Sequence, residues 1–348
     1  MARPGEFTQR AFLNGRIDLT QAEAVIDQIR ARTRAGLQAA TATASGTLSR
    51  SIHAMRDKLA TALAHIEAAV DFPEEDLPDL LNEALLEGLR KTHRDMLELL
   101  ETAEQGRLYR EGASVAIAGR PNAGKSSLFN ALLRDARAIV SAQAGTTRDR
   151  IEEYITLSGV PVRLIDTAGL HSSRDEVERI GIEVARDALK SAQIALLVAD
   201  ASAPSPEEDR ELAEELLRLE IPVVLALNKI DLAPESTTPE WNLEFAASVR
   251  TSALTGEGLK ALEERLAEIL LGGQSLHAGQ AMLSRAHQKD SLRRAADCVE
   301  RLLADTGLSP EFLAIELREA LAAIGEITGE TTPEDILDRI FSSFCIGK

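Results

Sequence analysis

The octapeptide Gly119-Arg120-Pro121-Asn122-Ala123-Gly124-Lys125-Ser126 constrains this chain more than any other stretch. It fits G-x-x-x-x-G-K-[ST] in full, follows the apolar run SVAIAG and precedes the helix-forming run SLFNALL. A strand that enters a glycine-rich turn and leaves as a helix is a phosphate cradle. The glycines let backbone N–H groups close on phosphate oxygens, and the helix start adds its positive dipole end. The candidate phosphate-binding residues are Asn122, Ala123, Gly124, Lys125, Ser126 and Ser127. Lys125 is placed to reach the β- and γ-phosphates, and the Ser126 hydroxyl to hold Mg²⁺.

Such a turn needs a parallel sheet around it, and the sequence supplies one. Apolar runs at Val162–Ile165, Ile194–Ala199 and Val223–Leu227 alternate with helical segments such as Glu207–Leu219, as expected of buried parallel strands covered on both faces. Two further motifs fall at strand ends. Asp166-Thr167-Ala168-Gly169 closes VRLID, where the carboxylate can hold Mg²⁺ through water and the Gly169 N–H can sense a γ-phosphate. Asn228-Lys229-Ile230-Asp231 closes VVLALN. The Asp231 carboxylate can accept hydrogen bonds from N1–H and the 2-amino group of guanine, a donor pair that adenine lacks. Asn228 suits the N7 side of the base, and the Lys229 stem its face. Ser252-Ala253-Leu254 is placed to offer a backbone contact to O6. The three motifs together predict a GTP site. Gly145–Asp149 reads as the first switch loop, with Thr146 near the nucleotide and Thr147 the favoured Mg²⁺ ligand. Small GTPases such as Ras place a water-orienting glutamine directly after D-x-x-G. Leu170 stands there, so another group must orient water; no arginine can be assigned as a finger from sequence alone, and Arg148 in the switch loop is a candidate although an exposed loop arginine usually is not one.

The flanks are helical. Thr20-Gln21-Ala22-Glu23 reads as a capping box before a long alanine-rich run that ends at DFPEEDLP. A second helix carries Leu81, Leu85, Leu89, Met96 and Leu100 on one stripe. Gly272-Gly273 reads as an exit linker, after which Ser309-Pro310-Glu311 and Thr332-Pro333-Glu334 each read as N-cap, N1 proline and first-turn acid. The last helix aligns Ile336, Ile340 and Phe344. The expected fold is an α/β P-loop GTPase domain with a mostly parallel, Ras-like sheet, inserted into an all-α helical domain. The chain holds 39 basic and 56 acidic residues, a formal charge of −17, and so is a poor lone binder of nucleic acid. Two cysteines exclude a disulfide framework and fit a reducing, cytoplasmic setting; neither a signal peptide nor a membrane-spanning run is expected.

GRPNAGKSSL, AGTTRD, DTAGL followed by DEVERIGIE, NKID and the ending DILDRIFSSFCIGK closely resemble the MnmE (TrmE) family of tRNA-modifying GTPases. The flanking ARPGEFTQRAFLNGRIDLTQAEA and DFPEEDLP are similar to that family's helical region. The resemblance implies residues 1–15 as the remnant of an N-terminal folate-binding domain, 16–111 and 274–348 as two parts of a helical domain, and 112–273 as the GTPase domain. It implies hydrolysis of GTP to GDP when two GTPase domains of separate copies meet, with potassium bridging the phosphates. Asn122 then corresponds to the potassium ligand and Glu178 to the residue that positions water; on its own, Glu178 reads as part of a solvated helix face in RDEVER. His171 replaces the arginine that the family has after DTAGL.

The family installs aminomethyl or carboxymethylaminomethyl groups at C5 of the tRNA wobble uridine, together with a flavin-bearing partner, MnmG. That partner is expected to supply much of the tRNA-binding surface. Family chains carry roughly a hundred more residues before ARPGEF, forming the domain that binds a folate one-carbon donor (5-formyltetrahydrofolate type) and makes a constitutive dimer. Both properties are expected to be impaired here. Cys345, in the terminal FCIGK, corresponds to a reactive thiol; by itself it reads as a packed thiol, and a lipidation signal is disfavoured by the final Lys348. Cys298 is expected in a helical core. Two alternatives stay open: a regulatory switch of the Era or Der kind, and a GTP-binding fragment unable to support modification.

Overall fold

The structure is a computed structural model and describes residues 2–71, 82–135, 154–166, 189, 191–202, 207–233, 241–273, 279–305, 309–332, 337, 340–342 and 344. It divides into two compact units, 1–110 with 277–348, and 111–276. In chain order the first flank contributes α1 (Glu6–Leu13), α2 (Leu19–Arg30), α3 (Arg34–Ala44), α4 (Thr47–Asp71), α5 (Glu83–Glu101) and α6 (Ala103–Glu111). The central unit follows with β1 (Ala113–Ala118), α7 (Lys125–Asp135), β2 (Tyr154–Leu157), β3 (Val160–Asp166), β4 (Ile194–Asp200), α8 (Glu207–Leu217), β5 (Val223–Asn228), β6 (Ala247–Arg250) and α9 (Leu259–Leu271). The second flank returns with α10 (Ala286–Ala304) and α11 (Pro310–Thr328).

In the helical unit, Leu48, Ile52, Met55, Leu59, Ala62 and Ile66 recur every three or four residues and give α4 one continuous apolar stripe. That stripe packs with Leu89, Met96 and Leu99 of α5, Leu292, Ala295 and Val299 of α10, and Leu313, Leu317, Ala320 and Ile324 of α11. Neither flank could bury these faces alone, so residues before and after the central unit share one core. Gly106 marks the closest approach within it, since a Cβ there would meet the Leu283 carbonyl oxygen at 1.9 Å. A smaller cluster joins Leu19, Ala22 and Ile26 to Leu337, Phe341 and Phe344, with the Phe341 and Phe344 rings 5.4 Å apart. Cys298 is buried in the larger core, but its thiol lies at the rim, 3.2 Å from Nη2 of Arg301.

Three local readings change. The capping box before α2 is built by Asp18, not Thr20: the Asp18 carboxylate accepts from Gln21 N–H, and the Gln21 side chain accepts from Asp18 N–H. Thr20 is buried one residue inside the helix, and Glu23 turns to partners on α10. The alanine-rich run is three helices, broken where Thr33 caps α3 by accepting from Gly36 N–H and again at Ser45-Gly46. Ser309 precedes α11 and Pro310 opens it, yet the Ser309 hydroxyl donates to the Glu311 carboxylate rather than capping the backbone. Leu81, the DFPEEDLP break, Pro333, Glu334 and Ile336 lie outside the described residues.

The central unit is a six-stranded sheet in the order β2-β3-β1-β4-β5-β6, with only β2–β3 antiparallel. β1, β4 and β5 are buried on both faces except at Asp200, which accounts for their unbroken apolar runs. β1 lies between β3 and β4, so successive connections leave it in opposite directions. A crevice opens at such a reversal, beyond the carboxyl ends of the strands.

Candidate functional site

Every described residue that the sequence assigns to the nucleotide lies at that carboxyl edge. Gly119–Ser126 follows β1, Asp166 ends β3, Asn228 ends β5 and leads into Lys229 and Asp231, and Ser252 and Ala253 follow β6. Thr146, Thr147, Arg148, Gly169, Leu170, His171, Glu178, Cys345 and Lys348 lie outside the described residues.

The glycine-rich turn is shaped by contacts that only small residues permit. Gly124 has φ 95°, and a Cβ on it would meet Asn228 Nδ2 at 2.3 Å. Lys125 is buried, and its Nζ donates to the carbonyls of Gly119 and Arg120, both at 2.7 Å. Burial pulls its pKa below the usual lysine value, partly countered by the Asp166 carboxylate. The Ser126 hydroxyl donates to Asp166 Oδ2 at 3.3 Å, and Ser126 and Ser127 are both exposed at the start of α7. A hydroxyl and a carboxylate side by side are hard oxygen donors, the set that Mg²⁺ takes. Among the described residues one other group is close enough for a metal ion, Cys298, Glu316 and Glu319 in the helical unit. There the Arg301 guanidinium bonds to Cys298 and Glu316 and ion-pairs with Glu319, so that charge is already met.

The residues that the sequence assigns to the base are locked to one another. Asn228 is buried; its Nδ2 donates to Ala123 O at 3.1 Å, and its Oδ1 accepts from Ala253 N–H at 3.0 Å. It therefore ties the phosphate loop to the loop after β6, and the Ala253 N–H is spent on Asn228. Asp231 Oδ1 accepts from the buried Ser252 hydroxyl at 2.5 Å, which fixes the carboxylate's orientation. Lys229 adopts φ 65°, and its Nζ donates to Asn122 O at 2.7 Å and to Asp200 Oδ2 at 2.6 Å. Asn122 shares the left-handed conformation, at φ 63°, with an exposed side chain.

Sequence reasoning missed the acids that hold these cations. Asp200 ends β4 just as Asp166 ends β3, and an acid closing a buried strand was the available signal. Lys229, with Ser202, holds the Asp200 carboxyl below its usual pKa, although burial alone would raise it. Arg120, inside the phosphate loop, pairs with Glu208 at 2.8 Å and faces Asp209 at 3.9 Å. Asp209 is buried, and burial pushes its carboxyl up.

Comparison with known proteins gives the family. The signature of the MnmE helical domain matches residues 19–345. The tRNA modification GTPase MnmE of Heliobacterium modesticaldum is 47% identical over all of this chain and 76% of its own length. The chain belongs to the MnmE family of tRNA modification GTPases. The Aquifex aeolicus MnmE is 44% identical, again over the whole chain and 77% of its own length. Among solved structures, the G domain of the T. maritima FeoB iron transporter is 36% identical, covers 45% of this chain and 98% of that domain, and has a TM-score of 0.34. Like the MnmE relatives, which are named GTPases, the chain is a GTP hydrolase. No described helix is long and apolar enough to cross a membrane.

Proposed function

We propose that this MnmE-family chain hydrolyses GTP with a potassium ion in the role of an arginine finger, when the G units of two copies meet, and that it serves wobble-uridine modification beside a flavin-bearing partner. The observation that carries the cation step is the posture of Asn122. Lys229 holds its carbonyl from inside, while its side chain stays exposed at the edge of the phosphate loop. An oxygen donor there can present a monovalent cation to the phosphates, and such a cation stabilises charge developing in the transition state. The loop's own arginine is paired to Glu208, which supports a finger from elsewhere.

In this reading Lys125 meets the β- and γ-phosphates, Ala123, Gly124 and Ser127 contribute backbone or hydroxyl donors, and Ser126, Asp166 and Thr147 serve Mg²⁺. Thr146 and Gly169 border the γ-phosphate, Glu178 positions water, and Asn228, Lys229, Asp231, Ser252 and Ala253 form the guanine end. Cys345 is the thiol of the modification step, and tRNA is met mainly through the partner.

The decisive experiment follows GTP turnover against protein concentration, in potassium and then in sodium. The expected result is faster, concentration-dependent turnover in potassium alone. Equal, slow turnover in both would reduce the chain to a GTP-binding fragment. Cys345→Ser is expected to abolish wobble-uridine modification in a reconstituted system while leaving GTP turnover intact.

A further inference from the structure

We infer that Asp200, at the end of β4, is a positioning residue for nucleotide binding: it holds Lys229 against the phosphate loop so that guanine meets a stem already in place. The inference rests on the GTP-binding reading above and deepens it.

Asp200 and Asn228 are direct partners across β4 and β5, so the residue after Asn228 emerges beside the Asp200 carboxylate. Both of its oxygens are engaged. Oδ1 accepts from the Ser202 N–H at 2.9 Å and the Ser202 hydroxyl at 2.6 Å, and Oδ2 accepts from Lys229 Nζ at 2.6 Å. A carboxylate fixed by three donors is a rigid anchor. Lys229 itself sits at φ 65°, a region that side-chain-bearing residues seldom adopt. Its ammonium is also shared with Asn122 O in the phosphate loop. Held at its ammonium by two contacts, the four-carbon stem loses much of its freedom before any ligand arrives. The Lys229 side chain remains 31% exposed. A lysine free to sample rotamers would pay that ordering cost on each binding event. Asp200 thereby links the end of the site that reads the base to Asn122 at the phosphate end, although it is placed to touch neither base nor phosphate.

The test uses the full chain and a fluorescent N-methylanthraniloyl-GDP, released by excess unlabelled GDP, alongside steady-state GTP turnover. Asp200→Ala and the isosteric Asp200→Asn are expected to speed release and raise KM by about ten-fold, the scale of a lost charge-assisted hydrogen bond. The turnover number at saturation should fall by less than KM rises, because Asp200 reaches Asn122 only through Lys229 and makes no contact with the reacting groups itself. Asp200→Glu should restore slow release. The Asp200→Ala/Lys229→Ala double variant should release no faster than Lys229→Ala alone. Unchanged release in both Asp200 variants, or effects that multiply in the double variant, would overturn the inference. If Asp200→Ala fails to fold, Asp200→Asn decides alone. A wild-type chain that bound no guanine nucleotide would instead strike down the GTPase reading, and this inference with it.

Discussion

Glu23 is an acid that should behave as a weak one. It is buried on α2, accepts from Gln288 Nε2 at 2.9 Å and lies 3.2 Å from Arg285 Nε. Arg285 is shared, since its Nη2 donates to both oxygens of Asp27 at 2.9 and 3.0 Å. Burial outweighs this neighbouring cation, the Asp27 charge adds to it, and the Glu23 pKa rises from 4.5 to about 7. Asp27 is raised in the same direction, also by burial. Between about pH 4.5 and 7 the folded chain holds a proton at Glu23 that the unfolded chain has released. Its contribution to stability is thus fully present below pH 4.5, falls as pH rises through 7, and is constant above. The displacement corresponds to about 3 kcal/mol. His287, 3.6 Å from Glu23, opposes it: burial, then the charges of Arg285 and Arg110, push its pKa down to about 4, so its contribution is present above pH 6.5 and fades below. Its ring is 40% exposed, and solvent screening reduces this to on the order of 1–2 kcal/mol.

Glu23→Gln separates the two, because it keeps an acceptor for Gln288 and removes the titration while His287 remains in both proteins. Relative to wild type, the variant should gain about 3 kcal/mol between pH 4.5 and 8, or roughly 6–12 °C in the melting temperature of a unit this size. The assay is thermal unfolding of the full chain by circular dichroism across that range. GDP identifies the transition of the central unit by shifting it, and leaves that of the helical unit in place. If Glu23→Gln instead loses stability against wild type as pH rises, Glu23 is an ordinary ion-paired carboxylate, and the primacy of burial over Arg285 is refuted.

Two further outcomes follow from the nucleotide site. Gly124→Ala forces a methyl group onto Asn228 Nδ2 and breaks its bond to Ala123; GTP affinity should fall by roughly a hundred-fold or more, the cost of an unmade buried hydrogen bond plus strain, with the helical unit's melting unchanged. Asp231→Asn replaces a two-acceptor carboxylate by an amide with one donor and one acceptor, so competition assays should show GTP weakened and xanthosine triphosphate strengthened, because xanthine carries a carbonyl where guanine carries the 2-amino group.

How legible these features were follows from the distance over which each is specified. The phosphate turn, Asp166 and Asn228–Asp231 could be read because each motif is contiguous, and its chemistry allows few residue types at each step. β1, β4 and β5 announced themselves as apolar runs because both faces are covered, and β3 because Val160, Val162 and Leu164 are buried. β2 and β6 did not: each has four residues, and Tyr154, Thr156, Ala247, Val249 and Arg250 are only half-buried. The breaks between α2, α3 and α4 were hidden by alanine, which keeps helix propensity high on either side of a turn. The N-cap of α2 was ambiguous in itself, since Asp18 with Gln21 and Thr20 with Glu23 satisfy the same spacing rule. The contest is settled by Gln288 and Arg285, which claim Glu23 from the far flank and leave Gln21 to complete the cap. Asp200 was missed for a related reason. Its place at the end of a buried strand was a signal, but its task was not: Lys229 reaches it only because β4 and β5 are adjacent and in register. A motif names the groups that touch a ligand, whereas the groups that hold those residues still are specified by the sheet and become readable only once strand order is known.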